Sequence, residues 1–117
     1  MKYASLFLIM SMTSVSADPA VVEDIAAEKN ASGWRFDVTL RHADTGWDDY
    51  ADGWRVEAEG GTVLGTRVLG HPHVNEQPFT RSQSGIEIPT AAQQVFIRTR
   101  TLTGGWAETT TPFLIDR

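Results

Sequence analysis

His71-Pro72-His73-Val74-Asn75-Glu76 places two of the chain's three histidines and a carboxylate in one short stretch. Neutral imidazole is the commonest transition-metal ligand, and a carboxylate can complete such a set. Pro72 fixes its own φ and holds His71 extended, so the segment is stiff and cannot be helical. A stiff backbone loses less entropy when its side chains gather round a ligand. The spacing therefore points to copper or zinc held by His71, His73 and Glu76. A further protein ligand of good geometry is usually needed. His42 is the natural candidate, with Asp48 or Asp49 in its place as the alternative. The competing role for these histidines is structural, capping strand ends or bonding loop carbonyls. The glutamate follows too soon, and no histidine follows His73, so a cupin's pair of motifs is not present.

A second constellation is Trp47-Asp48-Asp49-Tyr50-Ala51-Asp52-Gly53-Trp54. Its aspartates lack the alternating ligands and terminal glutamate of an EF-hand loop, so calcium is not indicated. Aromatics beside carboxylates can form a platform for a cation or a carbohydrate. The favoured role is to fold a long loop over the edge of the domain, since long ordered loops need their own packing. Trp47, Asp48, Asp49 and Tyr50, with Arg81 from the following segment, make a candidate binding surface for a protein partner. Arg81 is also suited to pairing with a nearby acid. No serine sits in a nucleophile elbow and no phosphate-binding glycine loop is present, so the expected function is non-enzymatic binding. A metal-dependent enzyme is the less favoured reading, because it requires an open coordination position and a pocket.

These residues need a scaffold, and period-two alternation supplies it. Trp34, Phe36, Val38 and Leu40 alternate with Arg35, Asp37, Thr39 and Arg41, the pattern of a half-buried strand. Trp54 to Ala58 repeats it. Glu59-Gly60-Gly61-Thr62 reads as a hairpin turn before a return strand over Val63 to Leu69. Phe79 to Ile88 is a further extended stretch, and Val95 to Thr101 is rich in β-branched residues. Thr103-Gly104-Gly105 is a turn, and Trp106 to Ile115 reads as the last strand. Val21 to Glu28 has ambiguous spacing between strand and short helix and is assigned as strand by the company it keeps. About seven strands in some 100 residues predict an all-β, immunoglobulin-like or fibronectin-type antiparallel sandwich. The expected core is Trp34, Phe36, Val38, Leu40, Trp54, Val56, Ile97, and Val95 or Phe96.

Strand parity then groups the loops. In a sandwich whose consecutive strands reverse, alternate loops share an end. Loops two-three (His42 to Gly53), four-five (Gly70 to Pro78) and six-seven (Leu102 to Gly105) should meet at one pole. That pole receives all three histidines and Asp44, Asp48, Asp49, Tyr50, Asp52 and Glu76, with Trp106 as a candidate addition. Functional loops commonly gather at one end of a rigid sandwich.

The chain's first seventeen residues read as a secretory signal: Lys2, an apolar run from Tyr3 to Met12, and small residues Val15-Ser16-Ala17 before the cleavage point. Residues 1–17 are thus assigned as a signal peptide and residues 18–117 as one domain, periplasmic or secreted. The apolar run is too short to span a bilayer, and no second apolar stretch could act as a transmembrane helix. The 117 residues contain no cysteine, so no lipid anchor, disulfide, thiolate metal site or thiol catalysis is expected. The formal net charge is −5 at pH 7, and eight scattered arginines form no patch. Nucleic acid and anionic membranes are therefore poor partners.

Gly46-Trp47-Asp48-Asp49-Tyr50-Ala51-Asp52-Gly53-Trp54, Leu64-Gly65-Thr66-Arg67 and the run from His71 through Ser82 (HPHVNEQPFTRS) together resemble a group of small exported bacterial proteins. The resemblance covers roughly the middle third of the chain. It implies export and marks the His-Pro-His stretch as a hallmark of the group. It implies no activity, ligand or partner.

Overall fold

The computed structural model describes residues 18–117; the expected signal peptide lies outside the described residues. Within them the chain is all-β. The strands are β1 (Val21–Asn30), β2 (Gly33–Arg41), β3 (Ala51–Glu57), β4 (Val63–Val68), β5 (Phe79–Ile86), β6 (Gln94–Thr101), β7 (Gly105–Trp106) and β8 (Thr111–Leu114). One sheet has the order β1-β2-β5. The other runs β4-β3-β6, with β7 and β8 both paired to β6, and every pairing is antiparallel. The expected sandwich is thus present. The expected last strand is broken into β7 and β8. Arg98 Nη1 donates to the Ala107 carbonyl at 2.6 Å, and the edge leaves the ladder until Thr111 rejoins Ile97.

The alternation read in the sequence becomes the core. Trp34, Phe36, Val38 and Leu40 of β2 face Trp54 and Val56 of β3 and Val95 and Ile97 of β6, all buried. Phe96 points outward, which decides the open choice between it and Val95 in favour of Val95. Gly65 of β4 packs directly against Ile86 of β5. A Cβ there would lie 2.8 Å from Ile86 Cγ1, so a side chain would displace β5's core contact. The ambiguous spacing of the first segment has a physical cause. The register shifts between Val22 and Asp24, and this bulge sets Val22, Ile25 and Ala27 against the core despite their uneven separation. Gly60 and Gly61 both hold positive φ (93° and 97°) in the β3–β4 turn, a conformation glycine adopts without strain.

The outer face of the larger sheet is polar, and ion pairs run across it. Glu57 accepts from Arg98 Nε (2.7 Å) and Nη2 (3.2 Å) and from Arg55 Nε (2.7 Å). The Arg55 guanidinium lies 4.0 Å from the centre of the Trp106 ring. Arg100 pairs with Asp52. Trp106 therefore belongs to this sheet face rather than to the loop cluster.

Parity holds at the ends of the sandwich. The β2–β3, β4–β5 and β6–β7 connections meet at one pole, and hydrogen bonds tie them. Leu102 N donates to the Tyr50 carbonyl (2.9 Å), and Thr103 Oγ1 to Asp49 Oδ1 (3.1 Å). The β2–β3 connection is shorter than expected, because β3 begins at Ala51 and takes Asp52 and Gly53 into the sheet. Among the described residues no helix is long and apolar enough to cross a membrane.

Candidate functional site

Asp44 organises the pole. Leu40 ends β2's buried row, and continuing the same period inward places His42 and then Asp44 beneath the loops. The Asp44 side chain has 0 % exposure. Its Oδ1 accepts from His42 Nδ1 (2.7 Å) and from Ala51 N at the start of β3 (3.0 Å). Its Oδ2 accepts from His73 N in the β4–β5 loop (2.8 Å). One carboxylate thus joins the end of β2, the start of β3 and the loop between β4 and β5. Hydrogen bonds from several donors to a buried charge are among the stronger ones in a protein.

Gln77 closes the same knot from the other side. Its Oε1 accepts from His42 N (3.0 Å), and its Nε2 donates to the His73 carbonyl (2.9 Å). Gln77 precedes Pro78 through a cis peptide bond. The residues that fix the histidine loop are therefore Asp44 and Gln77. The sequence reading placed Asp44 at the pole without a role and passed over Gln77. The available signal was the coincidence of a histidine and an aspartate at strand spacing, His42 and Asp44, just beyond a buried row.

His73 has an unusual environment. Its ring stacks on Phe79, with centroids 4.0 Å apart and an interplanar angle of 11°. The His71 ring lies on the other flank at 4.6 Å. The residue is 5 % exposed, yet neither ring nitrogen has a hydrogen-bond partner among the described residues. Burial, reinforced by the charges of Arg81 and of His71 when protonated, holds the imidazole below the usual histidine range; Glu76 and Asp44 oppose this. His71 is exposed, and its Nδ1 donates to the Pro72 carbonyl at 3.0 Å. That bond leaves Nε2 with a free lone pair.

The four residues expected to share a metal do not form one ligand set. His42 is buried on Asp44. Glu76 Oε1 accepts from Arg81 Nη2 at 3.1 Å, which is the acid partner anticipated for Arg81. Only His71 and His73 stand side by side. Among the described residues no group of three or more His, Cys, Asp or Glu is arranged to hold a metal ion.

The expected binding surface divides by exposure. Trp47 is 67 % exposed at the tip of the β2–β3 loop and meets Tyr50 edge to face, centroids 5.8 Å apart. Asp48 is exposed, Asp49 and Tyr50 are half-buried, and Arg81 lies 5.6 Å from the Phe79 ring centre. Gly46 and Trp47 face His71, His73, Val74 and Glu76 across an open recess. Val74 (50 % exposed) and Leu102 (44 %) add apolar surface from the other two loops. Among the described residues the opposite pole, with Gly60, Gly61 and Pro89, carries no histidine.

No protein-family model matches the chain, and no solved structure matches it. A protein of Halomicrobium mukohataei named "Putative lipoprotein" is 46 % identical over 71 residues. The match takes in 61 % of this chain and 34 % of that protein, so the chain spans about a third of its relative's length.

Proposed function

We propose that this chain is an exported, non-enzymatic interaction module that engages a protein partner through its loop pole. The observation that carries the reading is the coincidence of apolar tips on a braced base. Trp47, Val74 and Leu102 come from three separate loops and remain exposed at one end. Asp44 and Gln77 hold the loops beneath them in place. Large aromatic and aliphatic side chains ringed by polar groups, here Asp48, Asn75, Glu76 and Thr103, are the composition of an interface centre and rim. A pre-braced surface loses little conformational entropy on binding.

Export is supported by the leader-like first seventeen residues and by the name of the Halomicrobium mukohataei relative. The non-enzymatic reading is supported by how the pole's reactive groups are used: His42 is committed to Asp44 and Glu76 to Arg81. Photo-crosslinking in the source cells tests the module. A photoreactive amino acid at position 47 or 74 is expected to give one discrete adduct, and the same probe at position 60, on the far pole, none. Equal adducts from position 60, or none from 47 and 74, would reject the pole as the interface. Recovery of the unprocessed chain from the cytosol would reject export.

A further inference from the structure

The fold makes no use of the His73 imidazole as a polar group. Its backbone N–H and carbonyl are both employed, by Asp44 and Gln77. Its ring serves as a flat packing surface against Phe79, a role that phenylalanine would fill without the penalty of two buried, unpartnered nitrogens. Asp52, Trp54 and Arg67 each leave one buried atom without a partner among the described residues; His73 leaves two, and a bound ion is one explanation for such a group. The ring on its outer side is also an imidazole. His71 has its Nδ1–H anchored on the Pro72 carbonyl, the outer-shell bond that typically orients a metal-bound histidine and directs its Nε2 lone pair. His71 is exposed, so this bond can open and let the ring turn about its side-chain torsions on a fast timescale before it re-forms. That turn uncovers the His73 ring towards the recess beside Trp47 and Glu76.

We propose that His71 and His73 form an open two-imidazole site for a copper(II) ion at the loop pole, with the remaining positions filled by solvent. Copper is favoured over zinc because two imidazoles are a small ligand set, and Cu(II) binds such nitrogen donors most tightly among the common divalent metals. Neither His42 nor Glu76 is a ligand in this site, since Asp44 and Arg81 hold them. The proposal rests on the reading of the pole as the ligand-bearing end. It does not need the partner to be a protein, and its test is independent of the crosslinking experiment.

The test is titration of the leader-free, tag-free protein with Cu(II) and separately Zn(II) at pH 7.5, followed by calorimetry and by electron paramagnetic resonance of the copper form. One equivalent of Cu(II) is expected, with hyperfine structure from two imidazole nitrogens and weaker Zn(II) binding. His73→Phe preserves the stack on Phe79 and is expected to stay folded. It should nonetheless weaken copper binding by more than about tenfold, as should His71→Ala, while His42→Gln should not alter the spectrum. Failure to bind Cu(II) stoichiometrically, or wild-type affinity in folded His73→Phe, would overturn the proposal.

Discussion

Replacing Asp44 by alanine should be among the most damaging single changes at the pole. It strands three buried donors at once: His42 Nδ1–H, Ala51 N–H and His73 N–H. Each buried donor left without a partner costs about 1–3 kcal/mol. Water entering the space left by the carboxylate offsets part of this, so the expected loss is about 3–5 kcal/mol. A domain of this size has only about 5–15 kcal/mol in all. The melting temperature should fall by ~12 °C or more, at roughly 4–8 °C per kcal/mol. Asp44→Asn is the discriminating partner variant. Its amide can still accept through one oxygen, but its NH2 must face a donor, and the expected loss is about 1–3 kcal/mol. Denaturant unfolding followed by tryptophan fluorescence gives both values. Amide hydrogen exchange then locates the effect, with Ala51 and His73 losing protection ahead of β6. An Asp44→Ala variant within ~1 kcal/mol of wild type would refute Asp44 as the organiser of the pole, as would unchanged protection at those two amides.

Gly65→Ala should cost about 1–3 kcal/mol, because its Cβ would lie 2.8 Å from Ile86 Cγ1 in a packed core; equilibrium unfolding with no loss would show that β4 and β5 can separate freely. Glu57 is held below the ordinary carboxylate range by its hydrogen bonds, chiefly from Arg98 and then Arg55, against an opposing cost of burial. Its stabilisation should therefore be complete above the unfolded value of 4.5 and lost as pH falls below it, and Glu57→Gln should flatten that limb of an acid-unfolding curve. His73 has the same sign at higher pH: burial holds its imidazole below the ordinary histidine value of 6.5, so the unfolded chain takes up a proton first and stability declines as pH falls from there. His73→Phe should remove this decline and match or exceed wild-type stability at pH 5.5, measured by denaturant unfolding. A larger pH dependence in the variant would contradict the burial argument.

The sandwich and its pole were legible in the residue order because both follow from local rules. Alternation in β2, β3 and β6 assigns each side chain to a face, and strand reversal assigns each loop to an end. Trp34 through Leu40 and the convergence of His42, His71 and His73 at one pole needed nothing more. The bulge in β1 and the break before β8 were not legible. Each depends on a neighbouring strand, through the register shift at Val22 and through Arg98's capture of the Ala107 carbonyl.

The division is sharpest among the polar residues at the pole. Sequence alone determined which ones arrive there, since loop membership is a property of chain order. Only the tertiary structure decided what each one does, because a polar group is assigned by the partner within about 3 Å, and for Asp44 and Gln77 the decisive partners come from distant segments. Asp44 reaches His73 across 29 positions and Gln77 reaches His42 across 35. The same competition for partners took Glu76 to Arg81 and His42 to Asp44. It left the two rings of His71 and His73 side by side, with His73's nitrogens unspent.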